Sequence, residues 1–417
     1  MMNRITIRNI GPIKDVTLNL NKINVIMGPQ SSGKSTIAKI ISYCQWVEKR
    51  LILDGVFDYD FTEQFMDFHR ISDVYFNENS LIEYKSNSTH ISYNGLNHKS
   101  TIRMVKEGMS FVNCKNIYIP AERNFVSVIP NLGKYKRTND NIMNFLYDWY
   151  EVKKKYSKEN TFPILNLDVS FYHTQETDSD TLVLKNNAKK ELLLNNASSG
   201  LQSVIPMILL IDYLTNGLYN EKTIESVNEI EELFNILAKQ FSKIIESKER
   251  RSTLIKEMKE EKKIKLSSLE SEKLIEFIAK RKKYHFSQII IEEPEQNLFP
   301  ETQRDLVYYL LHMMNNEGRD HKLLLTTHSP YILYALNNCM MGYLIKDEMP
   351  EIEQNELASK QSWIDPKLVS VWEIEKDKGT VKLIQDKNTG TVSKHYFNSV
   401  MNETMDEYYE MLNYLKI

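Results

Sequence analysis

Apolar and polar positions alternate along the first part of the chain and predict that it begins with β-strands. Arg4–Arg8 and Val16–Leu20 each place every second side chain on an apolar face, and Gly11 marks the turn between them. Ile23–Met27 is a short, mostly apolar run, which is typical of a buried strand. These patterns predict a small β meander over residues 2–27.

After the meander the hydrophobic period changes repeatedly, which predicts a chain that mixes helices with strands. The first predicted elements are a helix from Ser35 to about Leu51, strands within 70–112, a strand at 116–119, a helix over 140–156, a hairpin at 171–184 and a buried helix over 201–214. The later ones are strands at 287–291 and 323–327 joined by a helix over 301–315, a hairpin at 369–384 and a helix from Glu403 to the end. We expect this last helix to pack on the body of the protein, with a docking peptide as the alternative.

A long segment without glycine or proline lies between the two halves of this pattern, at residues 218–293. It carries an apolar stripe with spacings of three and four, and its second part is dominated by Lys and Glu. We interpret residues 221–284 as a helical, coiled-coil-like arm inserted into the main domain. Two interpretations stay open: an arm that projects for self-association, or a solvated helix that packs along the core.

Length, charge and cysteine content limit the class of protein. The 417 residues, with 41% apolar and 26% charged, suit a soluble protein of two or three lobes. The net charge of −3 argues against nucleic-acid binding by the whole surface, although a local basic patch stays open. The three scattered cysteines follow no metal or disulfide spacing, so we expect a cytoplasmic protein. We expect neither a signal peptide nor an apolar run of the roughly 20 residues that a membrane span needs.

The strongest motif is a glycine loop between the third predicted strand and the first predicted helix. It fits G-x-x-x-x-G-K-[ST] and consists of Gly28, Pro29, Gln30, Ser31, Ser32, Gly33, Lys34 and Ser35, followed by Thr36. Its glycines allow successive backbone N–H groups to face one anion. Lys34 is expected to reach the β- and γ-phosphates of a nucleotide, and the Ser35 hydroxyl to bind Mg²⁺. A chance Gly/Ser loop is the weaker alternative, because the flanking strand and helix are those that the motif requires.

Paired carboxylates follow another apolar strand, at Glu292 and Glu293. A central strand of an α/β sheet places such acids at its carboxyl end, beside a neighbouring phosphate loop. There Glu292 can hold the water shell of Mg²⁺, and Glu293 can act as the general base on the attacking water.

A further apolar strand ends at His328. One crossover helix separates it from the acids, so it is expected to lie in the same sheet. We therefore interpret His328 as a sensor of the γ-phosphate, rather than as a histidine of the core or the surface. The loop Ser198, Ser199 and Gly200 opens a helix, where free N–H groups suit a phosphate, but a generic helix cap is equally consistent with it.

In this order, the motifs resemble an ABC-type ATPase domain of the overcoming-lysogenization (OLD) and SMC-like class. Ile5–Thr36 resembles the N-terminal lobe of that class, Glu292–Pro300 its Walker B and D-loop, and Thr327–Pro330 its switch-histidine loop. The segment Ile117–Asn124 resembles a loop found in prokaryotic defence members, such as the ATPase subunits of PARIS-like and Septu-like systems. A serine replaces the first glycine of the usual signature pair, Glu292 stands where many members have Asp, and no Q-loop glutamine or adenine-stacking aromatic is identified.

The resemblance implies an α/β ABC-type P-loop head that binds ATP and Mg²⁺. It implies two heads that enclose two ATP molecules, with Ser198, Ser199 and Gly200 of one chain completing the site of the other. The expected division is a first part of the head at 1–220, the arm at 221–284 and a second part at 285–417. OLD-type nucleases carry a Toprim nuclease domain after the histidine loop, and the residues that follow His328 show no such set.

Three functions are compatible with these motifs. The leading hypothesis is an ATPase that oligomerises and regulates a separately encoded nuclease or toxin in anti-phage defence. The second is an SMC-like, DNA-binding repair or maintenance ATPase, for which the arm is short and the basic clusters are modest. The third is the ATPase subunit of a membrane transporter, against which the β-rich insertion, the arm and the missing Q-loop speak.

Overall fold

The structure is a computed structural model of the chain. It describes residues 3–55, 57–105, 112–128, 140–185, 190–219, 283–315 and 318–415. The predicted arm at 221–284 lies outside the described residues except for its last two positions, so its form and its boundaries stay a prediction.

Strands and helices alternate along the described chain, as the sequence predicts for an α/β protein. The strands are β1 (Asn3–Ile10), β2 (Ile13–Leu20), β3 (Ile23–Met27), β4 (Leu81–Lys85), β5 (Thr89–Asn94), β6 (Lys99–Met104), β7 (Cys114–Ile119), β8 (Phe162–Pro163), β9 (Val169–Thr174), β10 (Ser179–Leu184), β11 (Glu191–Leu193), β12 (Phe286–Glu292), β13 (Lys322–Thr327), β14 (Val369–Glu375) and β15 (Thr380–Leu383). The α-helices are α1 (Lys34–Asp54), α2 (Phe61–His69), α3 (Phe125–Val128), α4 (Asn141–Lys153), α5 (Ser199–Thr215), α6 (Pro300–Met314), α7 (Pro330–Ile345), α8 (Glu351–Glu356) and α9 (Tyr396–Leu412).

Within the described residues, eleven strands form one sheet in the order β6-β5-β4-β1-β2-β15-β14-β3-β13-β12-β7. The strands from β14 to β7 run parallel to their neighbours. In their register Met27 lies opposite Thr327, and Thr326 lies opposite Glu292. The loops that follow β3, β13 and β12 therefore leave the sheet at one edge, as predicted for the phosphate loop, the histidine and the acids.

The other half of the sheet is the antiparallel β-rich lobe, formed by β1, β2, β4, β5 and β6. Gly11 at the β1–β2 turn has a φ of 53°, and a Cβ there would lie 2.4 Å from the Tyr75 ring, so glycine is required. The predicted meander is confirmed for β1 and β2, whereas β3 belongs to the parallel half. The hairpin predicted at 171–184 is confirmed in a second sheet, β11-β10-β9-β8.

Two apolar layers cover the faces of the large sheet. Ile23, Val25 and Met27 of β3 pack with α4, α5, α6 and α7 on one face, whereas Ile26 packs with α1 and α2 on the other. Helices cover β3 on both faces, and all five of its residues are buried. The phosphate loop therefore begins at the centre of the core.

Helix α5 is the most apolar element of this core. In the described part of the chain it is the one helix, extended to Tyr219, that is long and apolar enough to span a membrane by length and composition. The expectation that no such run exists was therefore wrong. Since 67% of its apolar 18-residue window is buried inside the protein, its hydrophobicity is explained by its place under the sheet.

The C-terminal helix differs from its prediction. It begins at Tyr396 rather than Glu403, and none of its residues is buried. The expectation that it packs on the body of the protein is wrong, since an amphipathic pattern alone does not say what covers the apolar face.

Candidate nucleotide site

The phosphate loop turns sharply between β3 and α1. Gly33 immediately precedes α1 with a φ of 101°, and a Cβ at this position would lie 3.0 Å from Cγ1 of Ile13. Both its backbone conformation and its surroundings therefore require glycine. Ser31 also has a positive φ, of 59°, which tightens the loop. The geometry is the strand–loop–helix arrangement that presents backbone N–H groups to a phosphate.

The Lys34 side chain folds back across this loop. Its Nζ donates to the carbonyl oxygens of Gly28 and Pro29, both at 2.8 Å, and lies 3.3 Å from Nδ1 of His328. Burial lowers the pKa of the Lys34 ammonium to about 8, and three nearby carboxylates only partly offset this effect. The ammonium therefore lies where it can exchange loop carbonyls for nucleotide phosphates.

The two acids at the end of β12 have different surroundings. Glu292 is 4% exposed, and its carboxylate accepts a hydrogen bond from the Tyr118 hydroxyl. Glu293 has a φ of 44°, which turns the chain out of the strand, and its side chain is 32% exposed. One carboxylate is thus held inside the protein, whereas the other is open to water.

Glu293 and His328 form a direct pair. Oε1 of Glu293 lies 2.9 Å from Nε2 of His328, while Nδ1 of the same ring faces Lys34. The hydrogen bond with His328 lowers the pKa of the Glu293 carboxyl, which keeps it ionised at neutral pH. A carboxylate in this state can accept a proton from water.

Glu295 holds the histidine loop, a role that the sequence did not reveal. Its Oε1 accepts from the backbone N–H of His328 at 2.5 Å and from Oγ1 of Thr327 at 2.8 Å. It belongs to the Walker B segment, and the sequence signal was a third acid two positions after the pair. Glu295 joins the ends of β12 and β13 and so sets the distance between Glu293 and His328.

Arg123 lies in the segment Ile117–Asn124, which the sequence singled out by resemblance without assigning a role to the arginine. It lies in the loop after β7, is fully buried, and donates to the carbonyl oxygens of Glu292 at 2.8 Å and Glu293 at 2.7 Å. It also donates to the carbonyl of Pro294 at 3.3 Å. The guanidinium therefore holds the turn that carries both acids.

The loop Ser198–Gly200, which the resemblance implies is the signature loop, lies apart from this group. Ser198 precedes α5 and accepts from the Leu201 N–H at 3.5 Å, and a Cβ on Gly200 would lie 2.6 Å from the carbonyl oxygen of Asn297. Among the residues that the structure describes, no hydrogen bond joins Ser198 or Ser199 to Lys34, Glu293 or His328. One chain thus brings together the phosphate loop, the acids and the histidine, but does not bring the signature loop into that group.

The donor set suits a magnesium ion that is bound together with a nucleotide. Over the described ranges, no group of three or more His, Cys, Asp or Glu side chains could hold a metal alone. Mg²⁺ is usually held by one or two carboxylates together with substrate phosphates and water. Ser35 and Glu292 are the residues that would hold it here.

Comparison with known proteins identifies the family. Residues 4–286 match the family described as AAA domain. Because the match spans more than half of the chain, the protein belongs to this family of ATPase domains. A comparison with curated proteins finds no significant match.

Several solved structures match most of the chain at low sequence identity and low TM-score. The SMC head domain from Thermotoga maritima is 10% identical with a TM-score of 0.36, over 80% of this chain and 92% of that one. The recombination mediator protein RecF is 12% identical with a TM-score of 0.33, over 92% and 98%. The ATP-binding cassette MJ0796, in a dimer bound to ADP and Pi, is 10% identical with a TM-score of 0.30, over 92% and 99%. The α/β fold class expected from the sequence is confirmed by the eleven-stranded sheet and its helices, and the match over residues 4–286 adds that the fold is that of an ATPase-domain family.

Proposed function

We propose that the protein is an ABC-type ATPase that hydrolyses ATP between two engaged copies and thereby regulates a separately encoded effector. The observation that carries the catalytic part is the continuous contact from Lys34 through His328 to Glu293. These residues lie after the carboxyl ends of three neighbouring strands, β3, β13 and β12, so the fold itself assembles them. Each has the chemistry that phosphoryl transfer to water needs: a cation, a hydrogen-bonding ring and a base.

In the proposed reaction the ATP phosphates occupy the loop Gly28–Thr36. Lys34 leaves the carbonyls of Gly28 and Pro29 and contacts the β- and γ-phosphates. Ser35 and Glu292 are the residues that would hold Mg²⁺, which when bound would supply positive charge against the phosphates. Glu293 takes a proton from the attacking water as the water oxygen bonds to the γ-phosphorus and the bond to the β-phosphate oxygen breaks, which releases ADP. The Nε2–H of His328 turns from Glu293 and donates toward the γ-phosphate.

The second copy completes this site. Ser198 and Ser199 are exposed at the start of α5, and Gly200 lies in its first turn. The N–H groups and hydroxyls at this helix start would contact the γ-phosphate that is bound to the other copy. ATP therefore favours the engaged pair, and hydrolysis, which removes these contacts, favours separation.

The regulatory role in prokaryotic defence is supported by the loop that carries Arg123. This loop, Ile117–Asn124, resembles a loop of prokaryotic defence members of the class, and its arginine donates to the carbonyl oxygens of Glu292 and Glu293. An effector such as a nuclease or toxin would bind one of the two states of the pair. A cytoplasmic location is supported by Cys44, Cys114 and Cys339, which are all buried and unpaired.

The experiment is copurification with the product of the adjacent gene. Tagged Glu293→Gln protein is expected to retain this product in one nucleotide state and to release it in the other. Glu301→Gln, a change of an exposed acid outside the site, is the matched control and should behave as the parent. Absence of a complex in every nucleotide state would contradict the regulatory proposal and leave the ATPase proposal standing.

DNA binding is the second candidate, favoured by three lysines at the opposite edge of the sheet. Lys22, Lys49 and Lys322 line a groove at the amino ends of the parallel strands. Asp320 lies 2.8 Å from Nζ of Lys322 and 3.9 Å from Nζ of Lys22, and Lys49 donates to the Cys114 carbonyl, so much of this charge is already paired. ATP-stimulated binding to duplex DNA that weakens between about 0.1 and 0.2 M salt would favour this function.

A further inference from the structure

The C-terminal helix α9 stands out from the body of the protein. Its first turn is attached, because the Tyr396 N–H donates to Oε2 of Glu373 at 3.2 Å and Phe397 packs against the core. From Ser399 to Leu415 every residue is exposed. Met401, Tyr408 and Met411 are 55%, 52% and 58% exposed, so that α9 carries a group of exposed apolar side chains rather than a single one. A helix of 17 residues therefore presents its side chains to solvent.

These side chains are sorted into two faces. Met401, Met405, Tyr408 and Leu412 follow one another at spacings of four, three and four, which places them within about 60° of each other around the helix. We call these four residues the α9 stripe. The four acids of the helix lie on the opposite side, and they are Glu403, Asp406, Glu407 and Glu410. Thus the apolar face is free of charge.

The distribution of charge limits what can cover this face. The positions that flank the stripe are uncharged and include Thr404, Tyr409 and Met411. Since the acids point away, an identical helix can approach the stripe without bringing like charges together. A groove rimmed by Lys and Arg would need acids beside the stripe, and there are none. We propose that α9 pairs with α9 of a second copy through the stripe.

This interface is separate from the proposed head-to-head site and does not rest on it. It requires no ATP, because no nucleotide-site residue takes part. The first turn of α9 is nevertheless close to the phosphate loop. Glu373, which accepts a hydrogen bond from this turn, lies opposite Met27 in the β14–β3 register. The two interfaces together would link copies into assemblies larger than a dimer.

Light scattering on the full chain without nucleotide tests the pairing. The parent is expected at twice the 49.0 kDa mass of one chain at concentrations of about 10–100 μM. Tyr408→Glu with Leu412→Glu is expected to halve that mass, because it places charge in the stripe. Glu403→Gln with Glu410→Gln, on the opposite face, is the matched control and should stay dimeric. A monomeric parent, or a double variant that keeps the mass of the parent, would overturn the proposal.

Cysteine cross-linking gives a second test that does not depend on a loss of association. Cys44, Cys114 and Cys339 are buried, so an added cysteine on α9 reacts against a low background. If the helices are parallel, the Met405→Cys variant alone is expected to form a cross-linked dimer. If they are antiparallel, the cross-link is expected between the Met405→Cys and Tyr408→Cys variants when the two are mixed. Asp406→Cys and Glu410→Cys should form none. Equal cross-linking at all four positions, or no cross-linking at the stripe positions, contradicts the pairing. ATP binding by each variant is the control that shows an intact ATPase head.

Discussion

The guanidinium of Arg123 donates to the carbonyl oxygen of Glu293 at 2.7 Å, although 170 residues separate them in the chain. Glu293 has the positive φ of 44° that directs its carboxylate to His328. Arg123 therefore acts on the proposed base through the backbone, and we regard it as a positioning residue. It remains a cation at neutral pH, since burial lowers the pKa of Arg123 only to about 10.

Arg123→Met should separate hydrolysis from nucleotide binding. The variant leaves the carbonyls of Glu292 and Glu293 without their buried donor and lets Glu293 move. We expect kcat to fall by about 10–100-fold with little change in ATP affinity, because even a small misplacement of a catalytic group is costly. Arg103→Met, a change of an exposed arginine on β6, is the control. Equal losses of ATP affinity and kcat would contradict the positioning role.

Tyr118→Phe should weaken the response to Mg²⁺. The Tyr118 hydroxyl donates to the carboxylate of Glu292, and groups that orient a metal-binding residue typically contribute about 10–100-fold in metal affinity. We expect half-maximal ATPase activity to need about tenfold more Mg²⁺. Tyr84→Phe is the matched control, since Tyr84 is also buried and donates to a carboxylate, that of Glu48, at 2.9 Å. An equal shift in both variants would contradict a role for Tyr118 at the metal.

Lys34 should make ATP binding depend on pH. The ammonium has a pKa of about 8, below the usual 10.5, so the fraction of charged Lys34 falls as the pH rises through 8. Because the phosphates bind the charged form, we expect the Kd for ATP to approach a tenfold rise per pH unit above about pH 8. Lys22→Met should keep this dependence, since the pKa of Lys22 is also lowered but its side chain lies at the other edge of the sheet. An affinity that stays flat to pH 9.5 would show that the ammonium does not titrate in this range.

Glu293→Gln should bind ATP and hydrolyse it slowly. Loss of a general base commonly costs about 10²–10⁴-fold in rate, while the phosphate loop and Lys34 stay intact. Retention of unhydrolysed ATP on the purified variant, measured against Glu301→Gln, checks this outcome. Hydrolysis at the rate of the parent would show that another group accepts the proton.

Much of the fold and part of the site could be predicted because they depend on local patterns. Gly28–Thr36 is a contiguous motif, and Glu292 and His328 each end a continuous apolar run. Arg123 and Tyr118 carry no such signal, because their partners come from a strand that follows them by about 170 residues and only the sheet brings them together. The exposure of α9 was not predicted for a similar reason. An amphipathic sequence shows that a helix has an apolar face, but not whether that face packs on its own chain or on another.

Mixing two inactive variants tests the composite site most directly. Lys34→Ala should lose nucleotide binding and keep the signature loop, whereas Ser199→Arg changes an exposed residue and blocks that loop alone. In an equal mixture about half of the pairs contain one of each chain, and each such pair has one intact site. We predict that the mixture recovers about a quarter of the ATPase rate of the parent. A mixture no more active than either variant alone would contradict a site shared between two chains.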